Sequence, residues 1–155
     1  MNLRTVFLAA SLVFTSFSPA QADDSNLQWD WRVEPGKLEN GDEAVIVFSA
    51  VIPEGLILYS SDFSAELGPR PAKFVFDAND AVELRGPVAA VQSQRRKDKV
   101  FGTDYTYFAG RAEFRQKIRV LKDGANVTGQ VVGQTCQEKD GFCELFKTPF
   151  SVRLN

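Results

Sequence analysis

The chain has 155 residues, 44% of them hydrophobic and 25% charged, with a formal net charge of −2 and no histidine. A nearly balanced charge offers no footing for a nucleic-acid partner. The missing histidine removes Ser-His-Asp and Cys-His catalysis, the paired-histidine zinc proteases and histidine proton shuttles, and two cysteines cannot fill a four-cysteine zinc site. With no glycine-rich phosphate loop either, neither a metal nor a cofactor is expected.

Residues 1–22 read as a secretory signal. Arg4 supplies a positive start, residues 6–14 an apolar run, and Ala20-Gln21-Ala22 the small-x-small pattern that precedes cleavage. The run is too short for a membrane helix, which needs about 20 apolar residues, so no direct membrane insertion is expected. The remaining segment, 23–155, has the length of one domain. Export places it in the periplasm.

Leu27, Trp29, Trp31 and Val33 alternate with polar neighbours, the period of a half-buried strand, and Pro35-Gly36 ends it. A longer β-rich run, 43–52, lies between Asn40-Gly41 and Pro53, and a third strand follows over 55–60. Residues 61–71 are loop-like and contain Gly68-Pro69-Arg70-Pro71. A short aromatic strand is expected over 72–77, then a turn at 78–80 and a brief pairing over 82–84. From 86 to 99 the chain is polar and without period, which predicts a long connection; its basic run, Arg95-Arg96-Lys97, reads as a solvated loop. Residues 101–108 are aromatic, with Tyr105, Tyr107 and Phe108 as sheet residues. Ala112, Phe114, Gln116, Ile118 and Val120 alternate with charged neighbours, and Asp123-Gly124 marks a turn. The last strands are expected over 127–135 and 148–154, with both cysteines in the connection between them. Asn126-Val127-Thr128 has the pattern of a glycosylation sequon and reads as hairpin chemistry only.

Strands recurring every 10–15 residues, with turn signals between them and no amphipathic helix, predict an all-β fold, an immunoglobulin-like antiparallel β-sandwich. An open barrel is the alternative. Trp29, Trp31, Phe74, Phe76 and Phe114 read as core or sheet-face aromatics.

Cys136 and Cys143 enclose six residues, and Asp140-Gly141 supplies a turn able to bring the two thiols together. In an exported protein a disulfide can persist. One reading is an inert staple across the last hairpin, worth roughly 2–3 kcal/mol in the chain-entropy model. The other is a disulfide that exchanges with a partner's thiolate. Composition and spacing alone favour the staple. Asp140 and Glu144 oppose a thiolate at Cys143, while Lys139 and Lys147 support one.

The segment Pro53-Glu54-Gly55-Leu56-Ile57-Leu58-Tyr59-Ser60, the Gly68-Pro69-Arg70-Pro71 before an aromatic strand, and the stretch from Val131 to Gly141-Phe142-Cys143 occur in the order and spacing of a known family. Over nearly all of 27–155 the chain resembles the periplasmic N-terminal domain of the thiol:disulfide interchange reductase DsbD, including its stand-alone relatives. The resemblance implies an immunoglobulin-like fold with a redox-active cysteine pair at one end, under a cap loop. It implies that Cys143 forms the mixed disulfide with partners, that Cys136 resolves it, and that Tyr59 lies beside the pair. Residues 98–102 would be the cap loop, with Phe101 as the shield, Asp98 as an acidic neighbour, and one of Tyr105, Tyr107 and Phe108 as a candidate to line it. Glu144-Leu145-Phe146 follows the second cysteine where related domains often carry proline.

The partners so implied are a thioredoxin-like domain or membrane-embedded thiol reductase as electron donor and oxidised periplasmic proteins as clients. Neither a membrane domain nor a thioredoxin-like domain is seen in the chain, so the donor is expected to be a separate protein. Cytochrome c maturation, disulfide correction and metal-stress defence stay open as destinations for the electrons. The competing function is a non-catalytic extracytoplasmic binding sandwich with a structural disulfide. A hydrolase would need a carboxylate pair, for which the sequence has no suitable clustering.

Overall fold

Period-two patterning and closely spaced turn signals leave the chain little choice but strands, and every regular element among the described residues is one. The computed structural model describes residues 26–64, 68–97 and 102–154; the proposed signal, 1–22, lies outside them. In chain order the strands are β1 (Gln28–Glu34), β2 (Glu43–Val51), β3 (Leu56–Tyr59), β4 (Lys73–Phe76), β5 (Val82–Ala90), β6 (Gln94–Lys97), β7 (Asp104–Ala109), β8 (Arg111–Val120), β9 (Asn126–Gln137) and β10 (Cys143–Arg153). They form two antiparallel sheets. One has the order β1-β2-β8-β5; the other runs β10-β9-β3-β7-β6, with β4 also paired to β9. This is the expected immunoglobulin-like sandwich.

The core fills the space between the sheets. Ile46, Phe48, Phe114 and Ile118 from one sheet meet Leu58, Phe108, Val131, Phe146 and Phe150 from the other, all buried. Phe48 lies between Phe74 and Phe150, at 4.8 and 4.9 Å between ring centroids, and Trp29 stacks on Phe114. The expected aromatics therefore do serve the core. Two glycines make room for two of these rings. Gly129 is paired with Phe150 and Gly133 with Phe146 across β9 and β10, and each ring occupies the space a Cβ would need.

The segment expected to be a long connection is largely strand. β5 continues to Ala90 through a register shift between Arg85 and Ala89, and β6 follows at Gln94. Gly86 and Pro87 at that irregularity break the alternation that marks a strand. Buried Gln116 donates its side-chain amide to the Gly86 carbonyl at 3.1 Å, satisfying a group that the shifted ladder leaves aside. The Arg95-Arg96-Lys97 run is likewise not a loop. It lies in β6, paired with β7 at the sheet edge, where an all-polar, solvent-exposed strand resists edge-to-edge association.

The last hairpin is also longer than expected. β9 runs through Cys136 to Gln137 and β10 begins at Cys143, so the cysteines stand on the strands and not in the connection. β9 is the spine of the site. One edge takes β10 along its whole length; the other takes β4 at residues 129–132 and β3 at residues 135–137. At its free edge β10 carries Pro149, which has no N–H to offer a further strand.

Candidate functional site

The turn after β9 is built as its residues dictate. Gly141 adopts φ +72°, Asp140 accepts a hydrogen bond from the Phe142 N–H at 2.9 Å, and the Gly141 N–H donates to the Gln137 carbonyl at 3.0 Å. A further bond, Gln137 N–H to the Phe142 carbonyl, makes 137 and 142 a hydrogen-bonded rung. The next rung, Cys136 opposite Cys143, is then of the close, non-hydrogen-bonded kind. Their Cα atoms are 4.0 Å apart, and the two sulfurs are bonded.

The two halves of this disulfide differ in their surroundings. Cys136 is 4% exposed, flanked by Ile57 of β3 on one side and Cys143 on the other. Cys143 is exposed on the edge strand, and its neighbours Phe142 and Leu145 are 58% and 57% exposed. An incoming thiolate can therefore reach the sulfur of Cys143, while that of Cys136 is covered. The Gly141 carbonyl oxygen lies 3.2 Å from the Cys143 sulfur. After reduction the thiol can donate to it.

Alternation puts a second apolar cluster on the face of this sheet opposite the core. Ile57, Tyr59, Tyr105, Tyr107 and Cys136 pack there, with half-buried Phe63 against them. Tyr59 meets Tyr105 edge-on at 5.3 Å and Phe63 at 6.2 Å. Tyr59, expected beside the pair, shares this cluster with Cys136 and stands two residues along β3 from Ile57. Asp98 and Phe101, the expected cap residues, fall in the link between β6 and β7, outside the described residues.

Of the other residues of this face, Tyr105 and Tyr107 were expected as sheet residues, while Phe63 and Asp62 were not singled out. Phe63 has no periodic neighbour to mark it. Its position is anchored through Asp62, which accepts hydrogen bonds from Ser93 at 2.8 Å and from Thr106. Partial burial pushes the Asp62 carboxyl up, but the hydroxyls of Ser60, Thr106 and Ser93 outweigh that and hold it below the usual carboxylate range. Arg96 lies over the Tyr107 ring at 4.5 Å, donates to the Tyr107 hydroxyl at 2.9 Å and pairs with Glu138 at 3.4 Å. One signal was available for the tyrosines: Tyr105 and Tyr107 are out of phase with Phe108, which faces the core.

Comparison with known proteins follows the same line. Residues 34–154 match the family model of the thiol:disulfide interchange protein DsbD, N-terminal. Among solved structures the chain is similar to the DsbD N-terminal domain of Neisseria meningitidis in the reduced form, with 17% identity, a TM-score of 0.51, and coverage of 81% of this chain and 86% of that one. At that identity the likeness speaks for the fold. No curated protein sequence matches. Family membership carries a general role in thiol–disulfide exchange, an extracytoplasmic setting and partners of the thioredoxin type. With a bonded cysteine pair at the end of an immunoglobulin-like sandwich and a family match over most of its length, the chain belongs to the family of DsbD N-terminal domains.

Proposed function

We propose that this domain is a periplasmic electron carrier, accepting reducing equivalents from a thioredoxin-like domain or membrane-linked thiol reductase and passing them to oxidised periplasmic proteins. What supports the reading is the difference in exposure across one bond, an open Cys143 joined to a covered Cys136. In the loading half, a thiolate of the reduced donor attacks the Cys143 sulfur. The sulfur–sulfur bond breaks, a mixed disulfide forms, and Cys136 leaves as a thiolate that takes up a proton. The donor's second thiolate then attacks its own sulfur in the mixed disulfide, and Cys143 is released. Two electrons and two protons have passed to the pair, and the donor is left as a disulfide.

In the unloading half, the Cys143 thiolate attacks a client's disulfide, and Cys136 resolves the adduct by attacking the Cys143 sulfur. The client leaves as a dithiol and the pair is a disulfide again. Phe142 and Leu145 give a docking partner apolar contact beside the reacting sulfur. Tyr59, with Asp98 and Phe101, belongs to the shielding that keeps unrelated thiols away. Residues 1–22 direct export and are removed.

Replacing Cys136 by alanine should accumulate thiol-reversible adducts through Cys143 in the periplasm, whereas replacing Cys143 should abolish them. The midpoint potential of the pair checks the same point, since a purely structural disulfide typically lies below about −300 mV. A bond that resists thioredoxin-type reductants, with no adduct from either single-cysteine variant, would return the pair to the role of a staple and the domain to a binding module.

A further inference from the structure

Arg96 starts from β6, at the far edge of the sheet that ends in β10, and Glu138 follows directly on β9. Two strands, β3 and β7, lie between β6 and β9 in the sheet. The side chains of Arg96 and Glu138 nevertheless meet at 3.4 Å. The guanidinium has to lean across the sheet to do this, and the Tyr107 ring beneath it supports the crossing. Tyr107 also donates its hydroxyl proton to Gln94 at 3.1 Å, so its oxygen remains free to accept from Arg96. The ionic strap therefore lies above the apolar cluster that contains Cys136.

Its place bears on the sulfur that the exchange must expel. When Cys143 is attacked, negative charge develops on Cys136, which is 4% exposed. Burial raises a thiol's pKa, and a thiol of higher pKa leaves more slowly. Glu138, two residues from Cys136, would add repulsion if its charge stood alone. The other ionisable neighbours of the pair are the Tyr59, Tyr105 and Tyr107 hydroxyls of the cluster, Lys139 and Asp140 in the turn, and Glu144 and Lys147 on β10. Of these groups and Arg96, it is Arg96 that meets both Glu138 and the cluster.

We propose that Arg96 is a positioning residue of the exchange: held between the Tyr107 ring and Glu138, it cancels the carboxylate's field at Cys136 and keeps that sulfur a competent leaving group. The proposal rests on the exchange reading above, but its test needs no partner protein. In a Cys143→Ser background, Cys136 is the sole thiol, and its pKa is read from thiolate ultraviolet absorbance against pH. Arg96→Gln should raise that pKa by about half a unit at low salt, the size expected for a half-exposed pair, and high salt should shrink the shift. Glu138→Gln alone should lower it. The double variant Arg96→Gln/Glu138→Gln should return toward the parent value, and Arg96→Lys should fall between the parent and Arg96→Gln.

An unchanged pKa in Arg96→Gln overturns the proposal. So does a rise that persists in the double variant, since that would trace to lost packing on Tyr107 and not to charge. Should Arg96→Gln not fold, Arg96→Met keeps an aliphatic stem over the Tyr107 ring without the charge and decides in its place: a higher Cys136 pKa supports the proposal, and an equal or lower one sinks it. Missing adducts would count against the relay, and a thiol pKa indifferent to Arg96 and Glu138 would count against the strap, so the two failures are distinguishable.

Discussion

The sheet that carries the cysteines has two faces built from the same strands, one residue out of phase. On the inner face Leu58, Phe108, Val131, Phe146 and Phe150 close against the opposite sheet and form the main core. On the outer face Ile57, Tyr59, Tyr105, Tyr107 and Cys136 are about as well buried, yet among the described residues no second sheet covers them. The first face is hydrocarbon and serves stability. The second mixes rings with hydroxyls, bonds one of its members to an exposed partner and is crossed by an ionic strap. Burial of equal depth thus serves two purposes, and the period of two is what keeps them apart.

That separation can be broken most forcefully from inside. Phe114, fully buried between Trp29, Phe74 and Phe108, should cost about 4 kcal/mol when replaced by alanine. Urea unfolding measures the loss, and dithiothreitol should still reduce the folded variant's disulfide at the parent rate. A reduction rate that moved with stability would show that the faces are not independent.

Gly129→Ala is a smaller inner-face probe, expected to destabilise by about 2 kcal/mol. The new methyl would strike the Val75 carbonyl oxygen and the Phe150 ring, and the β4 backbone cannot retreat without losing its pairing with β9. If urea midpoints for Gly129→Ala and the parent coincide, the tight approach of β4 is not needed for the core.

The smallest effect should come from Asp62, which anchors the segment carrying Phe63 over the outer cluster. Its pKa is lowered by folding, so the stability it contributes is present above the unfolded carboxyl's value of about 4 and is lost as pH falls through the lower folded value. Asp62→Asn should cost less than about 1 kcal/mol near neutral pH, because the group is largely exposed to solvent. Below about pH 4 the parent should converge on the variant. Urea midpoints from neutral to acid pH test this; a constant gap would mean that the carboxylate charge is not what holds the segment.

Much of the fold is legible in the amino-acid order alone. The alternation in 27–34 and 112–120, the Asp140-Gly141 turn and the prolines and glycines between runs all act over a few residues, where sequence and geometry are nearly the same thing. β5 beyond Leu84 is not legible, because Gly86 and Pro87 interrupt the period and the compensating partner, Gln116, lies 30 residues away. Nor is β6, whose wholly polar face carries no apolar signal and whose pairing is supplied by β7. The cysteines read as loop residues for a related reason: Gln134 to Gln137 looks polar, and only the neighbouring β3 and β10 make it strand.

Sequence by itself determined the strand-forming runs, the hairpin that unites Cys136 with Cys143, and the chemistry left to a chain without histidine. Those follow from backbone preference, side-chain period and the inventory of functional groups, all properties of the chain read locally. The tertiary structure decided which sulfur faces solvent, which tyrosines underlie the other, and that an arginine from the opposite edge crosses above them. Such choices depend on which strands lie side by side, and burial and charge pairing are set by neighbours in space, far apart along the chain.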